Sequence, residues 1–308
     1  MNPTSNRGTS LIRHVIVYRG HEHPLRGPYS ENVTKQIEMF KLLNWYRAES
    51  RKPSWEVSSI EGERLVSALD ASRPEETLLV IPAGQSTHLD TVFSNEQNGR
   101  IQSFLEEGGR GYFTCGSSYW VAQQRIYNDV CMEQPETSNV IIKESRIPLF
   151  KGTAKGPLCP FPGRKYRVGF FSDAVRVSDG EKECSMYLGG GGSFCWEPSI
   201  QKIKTLIRYL PGELRRLGKE KLEGEMLDNA VVLASVGKGV VLLSMLHPYY
   251  GEDDIDVDVY TKAFPDCGTD WQRVKNSLGS LDQRMRFVLN SMLSPLEDED
   301  RDCLRSLE

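Results

Sequence analysis

The segment Thr77 to Pro82, TLLVIP, most constrains what this chain can fold into, because nearly every side chain in it is apolar. A strand with one wet face alternates in polarity. An unbroken apolar run instead suits a strand buried on both faces, as in a parallel sheet covered by helices. Ile12 to Tyr18 (IRHVIVY), Trp55 to Ile60 and Gly111 to Cys115 (GYFTC) read as further strands. Helical stretches lie between them. Glu31 to Tyr46 carries an apolar stripe at Val33, Ile37, Phe40 and Leu43, with Met39, Leu42 and Trp45 beside it, a spacing that places the stripe on one helix face. Gly62 to Leu69 predicts a short helix, and Asn98 to Glu107 a longer one closed by Gly108-Gly109. Strands separated by helices in this way imply βαβ units. The expected class is therefore α/β, with a mostly parallel sheet and helices on both faces.

Downstream the pattern changes. From about Asn128 to Pro198 proline and glycine become frequent, as in KGTAKGPLCPFPG at 151–163 and LGGGGSF at 188–194, and this stretch reads as loops and short antiparallel strands inserted into the fold. Ile200 to Leu210 fits a helix or a strand, and Arg215 to Gly224 a charged, exposed connection. Ala230 to Val236 and Gly239 to Leu246 flank Gly237-Lys238, a two-residue turn that predicts a hairpin. Asp282 to Leu293 predicts a late amphipathic helix. The expected organisation is a flexible tail over 1–11, one domain over 12–296 with its insertion at about 128–198, and an acidic, frayed tail over 297–308.

The 38 basic and 42 acidic residues give a formal charge of -4 with no basic stripe, which argues against nucleic acid and anionic membranes as partners. Met1 to Ser10 lacks the apolar stretch of a signal peptide, and no apolar run reaches membrane-spanning length. The seven cysteines, at 115, 131, 159, 184, 195, 267 and 303, contain no Cys-x-x-Cys pair. That pattern fits neither a disulfide framework nor a zinc site and points to a reducing cytoplasm. No metal or cofactor is expected: His21-Glu22-His23 reads as an exposed polar turn without a third ligand. Asn32-Val33-Thr34 matches a glycosylation acceptor, which has no consequence without a secretion signal.

Three segments carry the candidate chemistry: VIPAGQS at 80–86, GGRGYFTCGSSYW at 108–120 and LLSMLHPYYGED at 242–253. Each runs past the end of a predicted strand, and the carboxyl ends of strands are where open α/β sheets bind ligands. A cysteine at a strand-to-helix turn lies near a helix N-terminus, whose dipole favours thiolate, so Cys115 is the candidate nucleophile. His247 is the candidate base, and the Gly84 and Gly116 N–H groups are candidate oxyanion donors. The plainer alternatives are a buried core cysteine and a structural histidine. Gly190 and Gly191, within the run Gly189 to Gly192, either line a cleft or permit an unusual turn.

The order of PAG, EEGGRGYFTCGSSY, YLGGGGSF and KGVVLLSMLHP resembles the class I glutamine-amidotransferase superfamily. Within it the likeness is to the amidotransferase-like N-terminal domain of eukaryotic-type biotin-protein ligases and its stand-alone bacterial relatives. The resemblance covers roughly residues 12–293. It implies a flavodoxin-like sheet, a nucleophile at Cys115, a histidine at His247 and an oxyanion loop at Ala83-Gly84, with Gln85, Tyr119, Gly190 and Gly191 as candidate substrate-binding residues. Two departures stand out. The superfamily turn has glycine two residues before and after its cysteine, where this chain has Phe113 and Ser117. The superfamily histidine is followed two residues later by Glu, where this chain has Tyr249, leaving Glu252 or Asp253 as substitutes. The expected reaction is attack of Cys115 on the carbonyl carbon of an amide. The alternative, from a different class, is a catalytically silent module that binds a small molecule or a protein partner. No biotin-ligase catalytic segment is present, so biotin transfer by this chain alone is not expected.

Overall fold

The computed structural model describes residues 11–20, 31–127, 141–159, 172–217, 228–263 and 269–297. The N-terminal tail up to residue 10, His21-Glu22-His23, Cys131, Cys267, Cys303 and the acidic tail beyond Glu297 lie outside the described residues, as do parts of the insertion and of the charged connection.

Thirteen strands are described: β1 (His14–Tyr18), β2 (Glu56–Ile60), β3 (Thr77–Ile81), β4 (Arg110–Thr114), β5 (Ala122–Tyr127), β6 (Ile141–Glu144), β7 (Phe150–Gly156), β8 (Ser172–Ser178), β9 (Glu183–Gly189), β10 (Ser193–Trp196), β11 (Ile203–Tyr209), β12 (Asn229–Val236) and β13 (Gly239–Ser244). Nine form the main sheet in the order β2-β1-β3-β4-β13-β12-β11-β8-β9. The half from β2 to β13 is parallel. From β13 outward the pairings turn antiparallel, because the β12/β13 hairpin reverses direction across Gly237-Lys238. The fold is thus α/β around a large sheet. The segment over 128–198 does more than insert loops: its β8 and β9 extend the main sheet, while its β6, β7 and β10 join β5 in a second, four-stranded sheet of order β10-β7-β5-β6.

Helices α1 (Asn32–Glu49), α2 (Leu65–Ala71), α3 (Ser86–Val92) and α4 (Asn95–Glu106) connect the parallel strands, and α5 (Gly116–Val121) leads from β4 into β5 of the second sheet. The apolar face of α1 buries Val33, Met39, Phe40 and Leu43, while Trp45 stays exposed. Ser94 starts α4 with a reciprocal capping box to Gln97, three residues before the boundary that periodicity alone marks. All five residues of β3 are buried, as a nearly unbroken apolar run demands, and β4 is buried throughout as well, including Arg110 and Thr114. Ile203–Tyr209 resolves as a strand. The late helix begins at Leu281–Phe287 and continues as a π-helical turn over Val288–Leu293. Short helices at Val257–Ala263 and Trp271–Ser277 carry no clear period in the sequence. No described helix is long and apolar enough to cross a membrane.

Candidate functional site

The parallel registers bring the three chemistry-bearing segments to one edge. Ile81 of β3 lies opposite Phe113 of β4, and Thr114 of β4 opposite Ser244 of β13. The residues just beyond the three strand ends, Ala83-Gly84, Cys115 and His247, therefore lie at the same edge of the sheet.

Cys115 has φ 50° and ψ -112°, and outside glycine a positive φ is retained only where the surroundings enforce it. Two serines supply part of that enforcement. Ser117 Oγ accepts from the Thr114 N–H at 2.7 Å and donates within reach of the Ile81 and Thr114 carbonyls, at 2.7 and 3.0 Å. Ser118 Oγ lies 2.8 Å from the Phe113 carbonyl and 3.1 Å from both the Ser244 carbonyl and its N–H. The Cys115 N–H donates to the Ser244 carbonyl at 2.6 Å. Hydroxyls thus stitch the turn to β3, β4 and β13, and Ser117 fits where the superfamily has glycine. At Gly116 there is no such latitude: a Cβ there would run into the Gly84 carbonyl oxygen. The two candidate oxyanion residues are packed backbone to backbone.

Over the thiol lies the glycine turn. Cys115 Sγ is 3.5 Å from the Gly189 carbonyl oxygen, and Gly190 and Gly191 adopt φ of 69° and 62°. Tyr119, buried on α5, donates to the Gly191 carbonyl at 2.9 Å, and Tyr209 donates to that of Gly192 at 2.7 Å. The Leu158 and Cys159 N–H groups both donate to the Gly190 carbonyl. Gln85 stands at the head of α3, where its carbonyl accepts from the His88 and Leu89 N–H groups. Of the residues expected to bind substrate, Tyr119, Gly190 and Gly191 thus form one cluster around Cys115.

The electrostatics differ from the expected thiolate. Burial pushes the Cys115 thiol up to about 11, outweighing the Gly116 and Gly191 N–H groups that favour the anion. Burial likewise lowers His247 from 6.5 to about 3. Both groups are neutral at pH 7.

His247 is 1% exposed, ringed by Tyr187, Tyr249 and Tyr250 with centroids 5.6 to 6.2 Å away. Its Nδ1 is 2.8 Å from the Tyr249 hydroxyl, while Nε2 is buried without a hydrogen-bond partner among the described residues. Tyr249 thus fills by contact the place at which the superfamily carries Glu. Glu252 sits exposed in the turn Glu252–Asp254; with Tyr249 and Lys35 it lines a cavity of about 270 Å³. Asn32 stands out in the sequence only as a glycosylation match, yet it is 4% exposed and reaches both sides of the site. Its Oδ1 accepts from Tyr250 at 3.1 Å and Tyr249 at 3.4 Å, and its Nδ2 donates to the Ala83 carbonyl at 3.4 Å.

Comparison with known proteins adds the family. The family model for the N-terminal region of biotin-protein ligase matches residues 33–301. A biotin–protein ligase of Schizosaccharomyces pombe is 24% identical over 183 residues, which are 57% of this chain and 26% of the ligase. The chain thus spans about a quarter of that relative's length. Among solved structures, a glutamine amidotransferase is 17% identical with a TM-score of 0.44, over 80% of this chain and 97% of the other. A putative ThuA-like protein from Bacteroides uniformis is 11% identical with a TM-score of 0.41, over 92% and 93%.

Proposed function

The chain belongs to the family of biotin-protein ligase N-terminal domains, and from that premise we propose that it is an amidotransferase-like domain whose Cys115 cleaves the C–N bond of a carboxamide. The observation that carries this reading is the backbone of Cys115, held at φ 50° at the end of a central strand; strain of this kind is kept where it aims a side chain. In the proposed reaction Sγ bonds to the amide carbonyl carbon as its proton passes to His247 Nε2. The Gly84 and Gly116 N–H groups receive the oxyanion. The proton moves on to the leaving nitrogen as the C–N bond breaks, and water then hydrolyses the thioester. Because thiol and imidazole are both neutral at rest, proton transfer accompanies attack, and the substrate must take the place of the Gly189 carbonyl beside Sγ. A reducing, cytoplasmic setting goes with this chemistry, since the nucleophile must stay a free thiol, as Cys115 is.

A second reading is favoured by the same neutral pair and by Tyr249 beside His247: a silent module that uses the fold to bind a small molecule or protein partner. One assay separates them. Wild type and Cys115→Ala are incubated with a panel of primary carboxamides beginning with glutamine, with ammonia release and acyl-enzyme mass recorded. Ammonia release and a thioester adduct on wild type alone support the hydrolase. Identical traces for the two proteins across the panel would remove that reading and leave the binding module.

A further inference from the structure

Asn32 lies 217 residues from Tyr249 in the sequence and touches it in the fold. Its amide has two ends with opposite demands. One faces the Ala83 carbonyl oxygen, which can only accept, so Nδ2 belongs there. The other end, Oδ1, faces the hydroxyls of Tyr249 and Tyr250 and can only accept from them. With the Tyr249 proton directed to Asn32, the Tyr249 oxygen presents a lone pair to His247 Nδ1, 2.8 Å away. That lone pair requires a hydrogen on Nδ1. The remaining nitrogen, Nε2, is then an unprotonated lone pair, and it is the one buried without a partner among the described residues. The tautomer of a neutral histidine is set by the hydrogen bond its other nitrogen makes, and here that bond is set one step further back.

We propose that Asn32 is a positioning residue: through Tyr249 it fixes His247 as the Nδ1–H tautomer, leaving Nε2 as the proton acceptor, and through Ala83 it ties this relay to the oxyanion loop. The use of Nε2 as a base rests on the hydrolase reading; the tautomer does not. The superfamily position held by Glu would impose the same tautomer by charge, whereas here a neutral tyrosine does so by donating its proton to Asn32.

The test is ¹⁵N NMR of the full chain labelled on histidine, in which a two-bond proton correlation separates a protonated ring nitrogen from an unprotonated one. The protein has five histidines, and His247→Gln identifies the relevant signals. In wild type at neutral pH, Nδ1 is expected to be the protonated nitrogen and Nε2 the bare one. Asn32→Asp keeps the acceptor and is expected to keep that pattern; Asn32→Ala releases the Tyr249 proton toward Nδ1 and is expected to move the imidazole proton to Nε2. Protonated Nε2 in wild type overturns the proposal, and so does a folded Asn32→Ala with the wild-type pattern. Should Asn32→Ala not fold, the wild-type spectrum decides alone. An Nδ1–H signal in a protein that forms no thioester removes the hydrolase reading and leaves the relay standing; thioester formation with Nε2–H does the reverse.

Discussion

The two ends of α1 bury polar groups in opposite ways. At its C-terminal end Arg47, with a fully buried side chain, donates to Glu297 Oε1 at 2.6 Å and to the Pro53 carbonyl at 2.8 Å, with its guanidinium 4.0 Å from the Trp55 ring centroid. Glu297 also receives Trp55 Nε1 and Lys52. At the N-terminal end Asn32, Tyr249 and His247 are buried just as deeply, but carry no charge at neutral pH and leave Nε2 open among the described residues. A buried charge must be paired because its desolvation is so costly. Each end leaves one buried nitrogen without a hydrogen-bond partner among the described residues, Arg47 Nη2 and His247 Nε2, but a guanidinium nitrogen can only donate, whereas a neutral imidazole nitrogen can accept a proton. One end of the helix is a clamp and the other a site.

The largest effect should come from breaking the clamp. Glu297 opens the segment expected to be a frayed acidic tail, yet its side chain is 2% exposed. Glu297→Ala strands Arg47 in an apolar setting, with an expected loss of about 3–5 kcal/mol in urea denaturation. The double variant Arg47→Met, Glu297→Met should recover much of it. A single-variant loss no greater than that of a surface substitution would erase the contrast between the two ends.

At the neutral end the corresponding probe is pH. His247 is lowered to about 3 in the fold and returns to 6.5 when unfolded. Its neutral burial therefore contributes fully above pH 6.5, and stability is lost as pH falls from there toward 3, because the unfolded chain binds a proton the fold refuses. Between pH 7 and pH 5 this group should remove about 2 kcal/mol. His247→Gln should flatten that part of the profile; an unchanged slope would mean the ring is not buried neutral.

Next in size is the turn itself. Ser117→Ala leaves the Ile81 carbonyl and the Thr114 N–H without their buried partner, an expected loss of about 1–3 kcal/mol. Ser117→Gly, which restores the superfamily residue, should lose no less. If glycine is instead the more stable, the serine is an accommodation to strain and not its support.

What is legible in the sequence is local. The apolar run of β3, the stripe of α1 and the Gly237-Lys238 hairpin each arise from periods of a few residues, and the strand ends then put Cys115 and His247 at one edge of the sheet. Illegible are the contacts between distant segments. The thiol's direction of shift follows from burial, in a setting that includes the Gly189 carbonyl, 74 residues away; a cysteine read with its own helix alone predicts the opposite sign. Asn32 is marked only as a glycosylation match and Ser118 only as part of the run around Cys115, since their roles exist only once β3, β4 and β13 lie side by side. Short α3 and α5 hold too few turns to display a period.

The smallest expected effect, that of Gly190→Ala, isolates what the glycine turn is for when set against its neighbour Gly191. Gly190 and Gly191 both have positive φ, but a Cβ on Gly190 would meet no described atom within 4 Å, whereas one on Gly191 would collide with the Leu188 side chain. Gly190→Ala therefore tests backbone strain alone, at about 1 kcal/mol, and Gly191→Ala adds overpacking of about 1–3 kcal/mol. Thermal denaturation of the pair should place Gly191→Ala well below Gly190→Ala. Equal losses would mean that Leu188 yields freely and that the turn over Cys115 is held by its hydrogen bonds from Leu158, Cys159 and Tyr119, leaving packing no part in fixing the thiol's cover.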